Sequence, residues 1–173
     1  MGEIVLDWIA LRAKLDAHRA HGETIVSTNG VFDVLHVGHV RYLQQARKLG
    51  DRLVIGVNTD NGTSRLKGPS RPFVIQDERA ELLSALSCVD YVTFFEESTP
   101  EALISAIRPD VHVKGGDYDV ESLPETTVVR SHGGRVVILP FSAGHSTTDL
   151  VHRIIESAGE LKHSHYPERD AGC

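Results

Sequence analysis

Two histidines set three residues apart carry the first chemistry in this chain. They are His36 and His39, within Gly30-Val31-Phe32-Asp33-Val34-Leu35-His36-Val37-Gly38-His39. Where a helix opens, that spacing aims both rings from one face of its first turn. Gly30 allows a tight turn after a strand, and Gly38 lets a ligand come close to the backbone between the rings. The unpaired N–H groups and the dipole at such a helix start favour an anion. Imidazoles placed there donate hydrogen bonds to phosphate oxygens, and more strongly to the extra charge of a transition state. On the residues alone two other readings stay open. One is a capped helix with two exposed histidines; the other is a zinc pair, for which no third ligand has suitable local spacing.

Three further polar clusters fall where strands should end: Asn58 to Asp60, Lys114 to Asp117, and Gly144 to Thr148. In an open α/β sheet, ligands bind beyond the carboxyl ends of the strands. Lys67 and Arg71 stand in a Gly- and Pro-rich run, KGPSRP, which reads as a mobile arm or as a solvated basic loop. Facing a triphosphate, the lysine would act as a point charge and the arginine as a fork. Arg79, early in a helix, either joins them or forms a surface salt bridge. Gly115 and Gly116 permit close backbone approach, and Asp117 could accept from a ribose or sugar hydroxyl. Lys114 either meets a sugar phosphate or is solvated. Ser146, Thr147 and Thr148 open the last helix, where one hydroxyl suffices as a cap and three in succession suggest phosphate donors as well.

The elements that must position these residues alternate. Apolar spacing predicts a helix over Asp7–Ala20, a strand over Thr24–Thr28, a helix over Gly38–Leu49 and a strand over Arg52–Asn58. A helix over Gln76–Val89 and a strand over Tyr91–Phe95 follow, and Thr99-Pro100 opens another helix. Val111–Lys114 is a short strand, Glu121–His132 is helical in part, Arg135–Leu139 is a strand and Ser146–Ala158 an amphipathic helix. Five strands alternating with helices predict a doubly wound α/β fold, a mainly parallel five-stranded sheet with helices on both faces. The expectation is one domain over 1–161, with an N-terminal helix in 1–22, a core over 24–158 and a flexible tail over 162–173.

Composition narrows the partners. Lys and Arg total 18 against 24 Asp and Glu in 173 residues, a formal net charge of -6, which argues against nucleic acid and anionic membranes. Cys88 and Cys173 form no CxxC pair, so neither a disulfide scaffold nor a cysteine-built zinc site is expected. No apolar run approaches the roughly 18 residues that span a bilayer, and no secretory signal is visible, so the cytoplasm is expected. The GxxxxGK[ST], GxGxxG and GxSxG patterns of P-loop kinases, dinucleotide-binding dehydrogenases and serine hydrolases are absent. His112, His145 and Cys88 receive no role in chemistry.

The Gly30–His39 run resembles the signature of the cytidylyltransferase-like nucleotidyltransferases. The stretches His39–Asp51, Val57–Asp60, Arg65–Pro69, Arg79–Glu81, Val113–Tyr118 and Gly144–Thr148 resemble one branch of that family. It comprises the adenylyltransferases of ADP-heptose synthesis, which join D-glycero-β-D-manno-heptose 1-phosphate to the AMP part of ATP. The resemblance extends over about Ser27 to Ser157. It implies a catalytic set of His36, His39, Lys67 and Arg79, with Lys67, Arg71 and Arg79 neutralising the leaving pyrophosphate. Nucleotide contacts would come from Gly30, Phe32, Asp33, Gly38, Asn58, Asp60, Arg71, Ser146, Thr147 and Thr148. Lys114, Gly115, Gly116 and Asp117 would meet the sugar phosphate. It further implies Mg²⁺ carried on the ATP phosphates, a homodimer or larger homo-oligomer, and a separate heptose kinase upstream. Related transferases acting on glycerol 3-phosphate with CTP or on FMN with ATP, and a catalytically silent nucleotide-binding module, are the competing readings. The choice of adenine rests on the resemblance alone.

Overall fold

β-branched runs alternating with amphipathic ones fold into a parallel sheet flanked by helices. A computed structural model describes residues 1–140 and 147–161. Its strands are β1 (Glu3–Ile4), β2 (Ile25–Gly30), β3 (Arg52–Asn58), β4 (Tyr91–Phe95), β5 (Val111–Gly115) and β6 (Arg135–Leu139). Its helices are α1 (Trp8–Ala20), α2 (Val37–Arg47), α3 (Asp60–Lys67), α4 (Gln76–Ser84), α5 (Glu101–Ile107), α6 (Pro124–Ser131) and α7 (Thr147–Leu161). All strands are parallel, in the order β1-β4-β3-β2-β5-β6.

The α/β class is as expected, with six strands rather than five. The added one, β1, is two exposed residues that pair with Tyr91 and Val92 of β4, too short to carry any periodicity. A helix was also missed. α3 has no apolar stripe and contains Gly62; the Thr59 hydroxyl accepts from the Gly62 N–H and caps it. α4 stops at Ser84 rather than Val89, because Asp90 N donates to Leu53 O at 3.0 Å and the chain must turn to enter β4. The stretch 162–173 and Ser146 lie outside the described residues.

Alternation along the strands gives the sheet two different faces. Val26, Ile55, Val57, Val92, Val111 and Val113 pack on Leu43 and Ala46 of α2 and Ala80 and Leu83 of α4, all buried. The opposite face is apolar where Ile25, Val54 and Phe95 meet Leu11 and Leu15 of α1 and Leu103 and Ile107 of α5. Truncating a buried leucine of this kind to alanine costs about 2–5 kcal/mol. Between β2 and β5 that second face also carries a polar pair. Ser27 Oγ and His112 Nδ1 pair at 2.8 Å, both side chains buried.

Candidate active site

β2 and β5 are neighbours, although the chain passes through β3 and β4 between them. Strand order therefore reverses at this seam, where connections leaving the carboxyl ends diverge and open a crevice. β2 pairs with β5 only over Val26–Thr28 and Val111–Val113. Beyond that pairing lies a cavity of about 980 Å³. Tyr42 of α2 sits at its base; its hydroxyl is 2.7 Å from Thr28 Oγ1 and donates to Val113 O at 3.0 Å.

The histidine wall follows from the turn after β2. Phe32 takes a left-handed φ of 50°, a conformation that disfavours a side chain and that the packing around its ring maintains. A Cβ on Gly30 would lie 3.0 Å from that ring, so any larger residue there would press on it. Phe32 meets the His39 ring edge-on at 5.3 Å between centroids. His36 is the N-cap of α2, its backbone extended and its carbonyl accepting from the His39 N–H at 2.9 Å. The two imidazoles stack with centroids 3.8 Å apart, on the one side that the three-residue spacing predicts. Burial, and secondarily the neighbouring His36, push the His39 pKa down to about 4. His39 is thus neutral near pH 7, with one N–H to donate. Its Nδ1 is buried with no hydrogen-bond partner among the described residues.

The basic run after α3 is tethered rather than loose. Asp33, 5% exposed, accepts from Arg71 Nη1 at 2.5 Å, Phe73 N at 2.6 Å and Val74 N at 3.0 Å. The Arg71 guanidinium also lies 4.0 Å over the Phe73 ring. Asp33 and Arg71 both line the cavity, each already holding a partner. Lys67, the last residue of α3, lines it from an exposed position.

Arg79 is placed otherwise than expected. It is 1% exposed, and its guanidinium donates to Val74 O at 2.9 Å, Val31 O at 2.5 Å and Asp60 Oδ1 at 2.7 Å. It braces the loop after β2, the tethered run and α3 from behind. Neither Arg79 nor its counter-ion Asp60 lines the cavity.

The opposite wall comes from β5 and α6. Lys114 and Gly115 line it, and Lys114 Nζ donates to Glu125 Oε1 at 2.6 Å and reaches Asn29 Oδ1 at 3.4 Å. Burial, the largest single influence, would raise the Glu125 pKa, but the Lys114 hydrogen bond, a backbone hydrogen bond and the charges of Lys114 and His112 together hold the carboxyl below its usual range. Gly116 is buried in a turn with φ 139°, its N–H donating to Leu139 O, and Asp117 is exposed; neither lines the cavity. Thr147 and Thr148 line it from the start of α7.

Of the expected residues, Gly30, Phe32, Asp33, His36, Gly38, His39, Asn58, Lys67, Arg71, Lys114, Gly115, Thr147 and Thr148 converge on one cavity. Asn29, at the start of the first polar cluster, lines it too, whereas Tyr42 and Glu125 were not anticipated there. Pro124-Glu125 at the start of α6 was the available signal for the last of these, because proline followed by an acid marks a helix start. Among the described residues no group of three or more His, Cys, Asp or Glu is arranged to hold a metal ion. No described helix is long and apolar enough to cross a membrane.

The doubly wound parallel sheet with paired imidazoles opening a helix at its switch point carries the sequence of a nucleotidyltransferase family. The chain belongs to the Cytidylyltransferase-like family, which matches residues 27–153. It is 53% identical over 147 residues to the bifunctional protein HldE of Syntrophotalea carbinolica, covering 85% of this chain and 30% of that protein. The bifunctional protein HldE of Geobacter sulfurreducens is 51% identical over 144 residues, 83% of this chain and 29% of the relative. The chain thus spans about 30% of the length of these curated relatives. Among solved structures, a lipopolysaccharide core biosynthesis protein from Thermoplasma volcanium is 30% identical with a TM-score of 0.57, covering 70% of this chain and 98% of that one. Pantothenate synthetase from Thermus thermophilus, 16% identical with a TM-score of 0.54 over 92% of this chain and 76% of its own, shares the fold.

Proposed function

We propose that the chain transfers the AMP part of ATP to D-glycero-β-D-manno-heptose 1-phosphate, forming ADP-heptose and releasing pyrophosphate. The observation that carries this reading is the stacked His36–His39 pair at the start of α2, inside the cavity, in a chain about half identical to HldE proteins. An acceptor phosphate oxygen attacks the α-phosphorus in line; that P–O bond forms as the bond to the β-phosphate oxygen breaks. No covalent enzyme intermediate is required, so positioning and charge stabilisation do most of the work. His36 and neutral His39 donate to the α/β-phosphate region, where negative charge grows. Lys67, with Arg71 beside it, faces the leaving pyrophosphate, and Thr147 and Thr148 offer hydroxyls to the nucleotide phosphates. Arg79 acts through Asp60 and the loop after β2 as a positioning residue. Mg²⁺ arrives as part of the MgATP substrate. A kinase activity supplying the sugar 1-phosphate and a homo-oligomeric assembly belong to the same reading.

Pyrophosphate release measured over a matrix of nucleoside triphosphates and phosphate acceptors tests it. The fastest turnover is expected with ATP and heptose 1-phosphate. Preferred turnover of CTP with glycerol 3-phosphate or of ATP with FMN overturns it, as does ATP binding without turnover of any pair.

A further inference from the structure

Lys114 reaches the cavity with its charge already answered. Glu125, its partner at 2.6 Å, has a side chain only 2% exposed, and a second Lys114 N–H points toward Asn29 Oδ1 at 3.4 Å. Behind the pair, burial pushes His112 down to about 4, with Lys114 adding to that effect and Glu125 opposing it. His112 is therefore neutral near pH 7 and leaves Lys114 as the cation facing Glu125. A cation intended for a doubly charged phosphate gains most when no buried carboxylate competes for it. A desolvated lysine–glutamate pair offers a donor and an acceptor side by side with no net charge. Hydroxyl groups, each both donor and acceptor, match that arrangement. Vicinal hydroxyls match it twice.

We propose that Lys114 and Glu125 together are the specificity determinant that reads adjacent hydroxyls of the acceptor, leaving its phosphate to the opposite, histidine-bearing wall. The proposal rests on the sugar 1-phosphate reading given above. A site built to hydrogen-bond hydroxyls rejects analogues that lack them, because its own buried polar groups are then left unpaired.

The test is steady-state kinetics of Glu125→Gln with ATP, heptose 1-phosphate and the corresponding monodeoxy sugar 1-phosphates, with inorganic phosphate as an inhibitor competing with the acceptor. The expected result is a KM for heptose 1-phosphate raised about 10-fold or more, while KM for ATP stays within about twofold. Discrimination against at least one deoxy analogue should shrink toward parity, and the inhibition constant of inorganic phosphate should stay within about twofold. If Lys114 grips phosphate instead, freeing it from Glu125 tightens phosphate inhibition, and that result overturns the inference. Unchanged discrimination in an active variant also overturns it. Should Glu125→Gln fail to fold, the double variant Lys114→Gln with Glu125→Gln leaves no lone buried charge and is expected to lose the same discrimination. A wild-type protein that turns over no sugar 1-phosphate sinks the functional reading and this inference with it. A wild type that does so, with selectivity unaltered in the variants, sinks this inference alone.

Discussion

The two walls of the cavity are built from the ends of neighbouring strands, yet they differ in what their polar groups are still able to do. On the β2–α2 side, His39 keeps a buried ring nitrogen without a partner among the described residues, beside a helix start. On the β5–α6 side, the lysine and glutamate are closed on each other. Arg71 shows that sign alone is a poor guide, since it lies on the first wall and is nonetheless held by Asp33. What a wall can bind is set by the hydrogen-bonding capacity left over after internal partners are counted. One wall retains donors suited to growing negative charge; the other retains paired donor and acceptor suited to neutral polar groups.

The sharpest way to break this contrast is to remove the His39 imidazole. His39→Ala is expected to lower kcat at least ~100-fold with the fold intact, the scale of losing one donor to a developing oxyanion. Retained full activity in pyrophosphate release would remove the histidine wall from the mechanism. A smaller effect is expected from Asp33→Ala, which abolishes three hydrogen bonds holding residues 71–74. With about 2–3 kcal/mol at stake, the thermal midpoint should fall by roughly 5–10 °C, and KM for ATP should rise more than KM for the acceptor. A rise confined to the acceptor would reassign that run to the other wall.

The smallest effect concerns pH and involves one buried histidine on each side. His39 and His112 are each pushed down to about 4, from an ordinary value of 6.5. Between those values the unfolded chain binds more protons than the folded one, so stability falls as pH drops from 6.5 toward 4. Above 6.5 both states carry neutral imidazoles, and these residues add no slope. Urea unfolding at several pH values should show the decline, and His112→Asn should flatten part of it. An identical slope in that variant would mean His112 carries none of the decline.

Much of the fold was legible because hydrophobic periodicity is a property of long elements. β3, β4 and β6 fall at the expected residues, and α1 begins one residue after its Asp7 cap. The failures have local causes. β1 is two residues whose pairing with β4 depends on a distant strand, and α3 is held by a threonine cap and the close approach of Glu96 O to Gly62 rather than by an apolar stripe. In the site, the histidine spacing transferred directly, because three residues at a helix start fix the relative placement of both rings. Arg79 did not transfer. Its sequence neighbours are charged, and only the tertiary fold shows Val31 O, Val74 O and Asp60 converging on its guanidinium. For Glu125 the proline-acid pair marks a helix start, but its pairing with Lys114 was illegible, since that partner lies 11 positions away on another element.

The hydroxyl of Tyr42 bears on how fast the cavity can work. By joining Thr28 of β2 to the Val113 carbonyl of β5, it acts as a fixed spacer between the two walls. Its phenol is pushed up to about 12 by burial, so the spacer keeps the same protonation state at every pH the protein would meet in use. A crevice whose width is set before any ligand arrives charges little reorganisation against binding. The distance from nucleotide to acceptor is then a built-in constant of the sheet, and whatever motion accompanies turnover falls to the loops around it.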